Sequence, residues 1–131
     1  MKINKFVVGM LLLLFLFNSS LYGQSDTLNL NDDNYEEKIT QGIVAVEYWA
    51  NWNKANMVTT IEEITDAKIY RVNIDSSLGT MLKNSVIVVP TIIFYDDGKE
   101  YKRLQGDLSF TLDATKEDLQ KIIDEILMSK F

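Results

Sequence analysis

The side chains that most often perform chemistry are missing from this chain. Its 131 residues include no cysteine and no histidine. Thiol–disulfide exchange requires a thiolate to attack a sulfur, so it is closed to these side chains. The absence of histidine removes the commonest general base and the commonest zinc ligand together. Asp32, Asp33, Asp96 and Asp97 lack the spacing of a calcium loop, and capping and turn formation account for them. No metal and no other cofactor is expected. Glu47, Arg71, Lys54 and the asparagines Asn53 and Asn56 remain for cysteine-independent chemistry. Nothing in their spacing assembles a nucleophile with a general base.

The N-terminus reads as a secretory signal peptide over residues 1–23. Lys2 and Lys5 provide the positive start, Phe6 to Phe17 is an apolar run broken only by Gly9, and Gly23-Gln24 follows a short polar exit. A spanning helix needs about 20 apolar residues, and this run is shorter. No cysteine follows it, which excludes a lipid-modified terminus. Cleavage after Gly23 would leave residues 24–131, enough for one domain with its own core. Without Lys2 and Lys5 the chain carries 11 basic residues against 19 acidic ones, a net charge of −8. That balance argues against nucleic-acid partners, whose phosphates call for clustered Lys and Arg, and disfavours anionic membrane surfaces; no stable membrane insertion is expected once the signal is cut. It serves solubility or, alternatively, a basic partner.

The remaining chain alternates short elements. Thr27 to Leu30 predicts a strand, and Asn31-Asp32-Asp33-Asn34 caps a short helix through Lys38. Ile43 to Trp49 is an almost unbroken apolar run, as in a central strand covered on both faces. Met57, Val58, Ile61 and Ile64 predict a helix, which Asn53 or a neighbour could cap. Ile69 to Asp75 predicts a strand, and Leu78, Met81 and Leu82 a short helix. Pro90 marks the start of the next strand, because proline lacks a ladder donor. Thr91 to Tyr95 and Glu100 to Leu104 flank Asp97-Gly98, a hairpin signal. Thr115 with Asp118 caps a last helix whose apolar stripe is Leu119, Ile122, Ile123, Ile126 and Leu127. The order β-α-β-α-β-α-β-β-α implies an α/β fold with a mixed central sheet and helices on both faces.

That order is similar to the thioredoxin family's, and five motifs agree in register. Leu30 to Tyr35 resembles the family's opening strand-to-helix junction. Val46 to Trp52 resembles the strand that delivers its active-site turn, and Arg71 to Asp75 its third strand. Val89-Pro90-Thr91 resembles its cis-proline loop, and Asp97-Gly98-Lys99 with Gly106 its last hairpin. Trp52-Asn53-Lys54-Ala55-Asn56 sits where a thioredoxin carries Trp-Cys-Gly-Pro-Cys, so asparagine holds both cysteine positions. The stretch from Asn56 to Arg71 is shorter than the family's, implying a second helix reduced by about two turns. Phe110 to Ala114 resembles a small insertion before the last helix.

The resemblance implies a thioredoxin-like domain over residues 24–131 that engages a polypeptide, basic or extended, without covalent chemistry, and the signal-peptide reading implies its export to a periplasm or secretion. Trp52, Asn53, Lys54, Ala55 and Asn56, with Val89, Pro90 and Thr91, are the binding candidates. Their alternative role is structural: the asparagines cap a helix, Trp52 packs on its own domain, and Pro90 fixes a corner. Glu47 lies where the family buries an acid, and Arg71 where it carries a lysine. An isolated buried carboxylate is costly, so the two should pair. The rival readings of function are a subunit of an envelope assembly with an idle turn and a cysteine-independent enzyme. The sequence leaves the oligomeric state open.

Overall fold

The computed structural model describes residues 27–131; the signal-peptide reading lies outside the described residues. A five-stranded mixed sheet forms the middle layer, in the order β1-β3-β2-β4-β5. Its strands are β1 (Leu28–Leu30), β2 (Ile43–Trp49), β3 (Lys68–Asn73), β4 (Thr91–Asp96) and β5 (Lys99–Gln105). β3 runs parallel to both β1 and β2, whereas β2, β4 and β5 pair antiparallel. The helices are α1 (Tyr35–Lys38), α2 (Leu78–Lys83) and α3 (Lys116–Met128).

β2 is the central strand, and its alternation splits the core in two. Val44, Val46 and Tyr48 face a cluster with Tyr35 and Ile39 from the α1 side and Val86 and Val89 from the segment before β4. Ile43 and Ala45 face the opposite cluster, where Val58, Ile61 and Ile64 meet Leu119, Ile122, Ile123 and Ile126 of α3. The apolar run of β2 therefore reflects burial on both faces.

Capping follows the sequence closely at α3. Thr115 Oγ1 accepts from Asp118 N at 3.1 Å, and Asp118 Oδ2 accepts from Thr115 N at 3.0 Å. At α1 the asparagines act differently. Asn34 occupies the cap position without a side-chain cap bond. Instead Asn31 Oδ1 accepts from the N–H groups of Asp33 and Asn34, and Asn34 Oδ1 accepts from Asn31 N at 2.8 Å. The Asp97-Gly98 turn takes φ of 49° and 88°, the pair of left-handed residues that a tight hairpin needs.

The helix expected from Met57 onward does not form. Two 3₁₀ segments, Asn51–Asn56 and Thr59–Glu63, connect β2 to β3. Val58, Ile61 and Ile64 are the buried residues, with Met57 only partly so. Their spacing of three is the 3₁₀ repeat, and the β-branched run Val58-Thr59-Thr60-Ile61 disfavours an α-helix.

Gly106 ties β5 to the start of β4. It donates its N–H to Pro90 O at 2.8 Å. A Cβ at this position would lie 2.9 Å from Pro90 O and 3.0 Å from Thr111 O, both main-chain atoms that cannot swing aside. Gly106→Ala should therefore lose about 1–3 kcal/mol in urea unfolding. Unchanged stability would mean the two backbones sit farther apart.

Candidate functional site

β2 delivers the Trp52–Asn56 turn, and several polar bonds fix its entry. Trp49 Nε1 donates to Asn29 Oδ1 at 2.9 Å, and Asn51 N donates to Asp75 Oδ2 at 2.8 Å. Asn53 N then closes the first 3₁₀ turn on Ala50 O at 3.0 Å. Within this turn Asn53 alone is buried, while Trp52 stays 60 % exposed and Lys54, Ala55 and Asn56 face outward.

Asn53 caps no helix. Its Nδ2 donates to Phe110 O at 3.0 Å and, at a longer 3.4 Å, to Val89 O. Its Oδ1 accepts from Asn56 Nδ2 at 2.8 Å. Two carbonyls facing Nδ2 fix the orientation of the amide, since only a donor can serve them. The side chains of Asn53 and Asn56 thus bond to each other through their amides. The Val89–Pro90 peptide is cis, and both residues are buried. Their carbonyls are engaged, Val89 O by Asn53 and Pro90 O by Gly106, rather than open to solvent. Thr91 Oγ1 donates to Val88 O at 2.6 Å and closes the loop from the other side. The Trp52–Asn56 turn and the Val89–Thr91 loop are therefore brought together.

The third wall of the site is a turn that sequence reasoning did not assign to it. Asp107–Thr111 follows β5 and presents Phe110 with φ 60°. The Phe110 ring meets the Trp52 indole edge-on, with centroids 5.0 Å apart and planes at 88°. The Ser109 hydroxyl, then the Thr111 N–H, hold the Asp107 carboxyl below its ordinary pKa. Asp followed by Ser two residues later does mark a turn. Nothing local shows that the turn's tip reaches a residue 57 positions away.

Glu47 and Arg71 are register partners across β2 and β3, so their side chains leave the same face of the sheet. Arg71 Nε donates to Glu47 Oε1 at 3.0 Å, and Glu62 joins through Arg71 NH1 at 2.7 Å. Glu47 Oε2 takes the Val58 N–H at 2.7 Å, while Arg71 NH2 donates to Val58 O at 3.4 Å. Both oxygens of Glu47 are thus committed to structure. Burial raises its pKa and outweighs the lowering by Val58 and Arg71, with the nearby Glu62 charge pushing the same way as burial. Among the described residues no group of three or more acidic or metal-ligating side chains could hold a metal ion. The arrangement can offer hydrogen bonds, one exposed indole and one lysine, and it is compatible with a non-catalytic role.

A family model described as Thioredoxin matches residues 26–125. A thioredoxin of Staphylococcus haemolyticus (strain JCSC1435) is 27% identical over 107 residues, spanning 76% of this chain and 97% of that protein. A thioredoxin of Chlamydia trachomatis serovar D is 32% identical over 83 residues, spanning 59% of this chain and 81% of that protein. Among solved structures, a mutant thioredoxin from Halobacterium salinarum NRC-1 superposes with a TM-score of 0.61 at 20% identity. The match covers 78% of this chain and 91% of that one, a likeness of fold.

Glu47 binds its proton more tightly folded than unfolded. Its contribution to stability is therefore fully present at low pH and is lost as pH rises through its elevated pKa. Relative to the unaltered protein, Glu47→Gln should gain stability as pH climbs through and above the ordinary carboxylate range, read by urea unfolding at several pH values. A difference that moves the other way would mean Arg71 and Val58 outweigh burial.

Proposed function

The chain belongs to the thioredoxin family, and from that premise we propose that it is an exported, redox-inactive member that holds a polypeptide noncovalently through the Trp52–Asn56 turn and the Pro90 loop. The absence of cysteine leaves a thioredoxin-like fold without the group that thiol exchange requires. The observation that carries the proposal is Trp52. It is 60 % exposed on a turn whose next residue is pinned inward by hydrogen bonds. A rigidly based, outward indole is a low-entropy anchor for a partner. Export is supported by the basic start and apolar run of residues 1–23, and a basic or extended partner by the net charge of −8 that remains after residue 23.

A second reading, a subunit of a larger envelope assembly, draws on a different surface. Leu78 and Leu82 stand one helical turn apart on α2 and are 57 % and 64 % exposed. Enzymatic chemistry draws on no comparable observation, because Glu47 and Arg71 are engaged with each other, with Glu62 and with Val58.

Binding of a reduced, alkylated and unfolded polypeptide tests the proposal, measured by calorimetry for the unaltered protein and for Trp52→Ala. The unaltered protein should bind reversibly, and the variant about tenfold or more weakly. Equal binding by both would remove Trp52 from the site. No binding of any unfolded chain would remove the proposal.

A further inference from the structure

Phe110 already does to the Trp52–Asn56 turn what a captured chain would do. Its carbonyl accepts from Asn53 Nδ2 at 3.0 Å, and its ring meets the Trp52 indole edge-on at 5.0 Å between centroids. One residue supplies a main-chain acceptor and an aromatic side chain together. These are the two things that an indole beside an inward-held amide can recognise.

The turn that presents Phe110 keeps its own shape. Asp107 Oδ1 accepts from Ser109 N at 2.9 Å, Ser109 Oγ at 2.6 Å and Thr111 Oγ1 at 3.1 Å. Asp107 N donates to Thr111 O at 2.9 Å and closes the base. Gly106 fastens that base to Pro90. At the tip Phe110 N donates to Asp107 O at 3.0 Å, and the strain of the turn collects there. Leu108 is 96 % exposed, and Phe110 sits at φ 60°, a conformation that residues with a side chain adopt at a cost. The seat is not sealed either, since Trp52 is 60 % and Phe110 42 % exposed. Displacement of the tip would release the backbone cost and leave the base intact.

We propose that Phe110 is a resident occupant of the Trp52–Asn53 seat, and that the polypeptide partner enters by an aromatic residue that displaces it. The partner's ring takes the indole edge and its carbonyl takes the Asn53 amide. This inference rests on reading the turn as a polypeptide site. It adds selectivity to that site. A tethered competitor is present at high effective concentration, so an incoming segment with a carbonyl but no ring loses to Phe110, whereas an aromatic one exchanges like for like.

The test uses two blocked pentapeptides, acetyl-Gly-Gly-Phe-Gly-Gly-amide and its alanine counterpart, titrated into the full chain while the Asn53 side-chain amide resonances, present in every variant, are followed by NMR. Phe110→Gly is the informative variant, because glycine suits the positive φ and the Asp107 bonds keep the turn closed. Phe110→Ala, which keeps a Cβ, is the second variant and should rank the peptides identically. The phenylalanine peptide should bind either variant about three- to tenfold more tightly than the unaltered protein, the equivalent of one edge-to-face aromatic contact. The alanine peptide should gain much less, and adding Trp52→Ala should abolish the gain. Equal or weaker binding of the phenylalanine peptide to the variants would overturn the resident-occupant account and leave the polypeptide site standing. An equal gain for both peptides would overturn the aromatic selectivity. If neither peptide binds any of the proteins, the polypeptide site falls, and the occupant with it.

Discussion

The carboxamide of Asn53 is the tie on which the site depends. It is buried and uses its donor and acceptor atoms on two other segments and its own turn: the Val89 carbonyl, the Phe110 carbonyl and the Asn56 amide. Few side chains could replace it. A carboxylate of the same shape has no donor for the two carbonyls, and an aliphatic residue would leave the buried Val89 carbonyl without a partner, at about 1–3 kcal/mol. With Asn53 held inward, a tight 3₁₀ turn has no room to bury its other members. Trp52, Lys54 and Ala55 face solvent for that reason. The outward indole is thus a consequence of the inward amide.

Beneath this turn, charge takes the part that a helix would otherwise play. An α-helix satisfies its own main chain, but the segment after Asn56 is a 3₁₀ turn that Val58 separates from the one before it. Glu47 takes the Val58 N–H and Arg71 donates to the Val58 carbonyl, so the buried ion pair serves the backbone that the missing helix leaves open. Burying charges is costly unless their hydrogen bonds are complete. Here Glu62 and Val58 complete them, which gives the pair a structural part.

Much of this is legible in the sequence where the signal is local. The run Ile43–Trp49 marks the central strand, Asp97-Gly98 the hairpin, and Thr115 with Asp118 the last cap, because each depends on neighbours within a few residues. The segment after Asn56 differs from its sequence reading because Met57, Ile61 and Ile64 satisfy helical spacing while Val58, Ile61 and Ile64 satisfy threefold spacing. The run of β-branched residues is the clue that separates them. The site is legible only in part. Resemblance points to Trp52, Asn53, Asn56 and Pro90, and likewise to Glu47 paired with Arg71. Phe110 and Glu62 are not legible, since each enters through a contact set by tertiary placement rather than by pattern. An insertion reads in sequence as surface decoration until its tip is seen against Trp52.

Sulfur is absent from this thioredoxin-like fold, and the proposed reading is that the Trp52–Asn56 turn is otherwise placed for thiol–disulfide exchange. Replacing both amides, Asn53→Cys with Asn56→Cys, and measuring reduction of insulin disulfides addresses that claim most directly. The double variant should show measurable exchange and the unaltered protein none, since it has no thiol with which to begin. A folded double variant without any exchange would contradict it, as would activity in the unaltered chain.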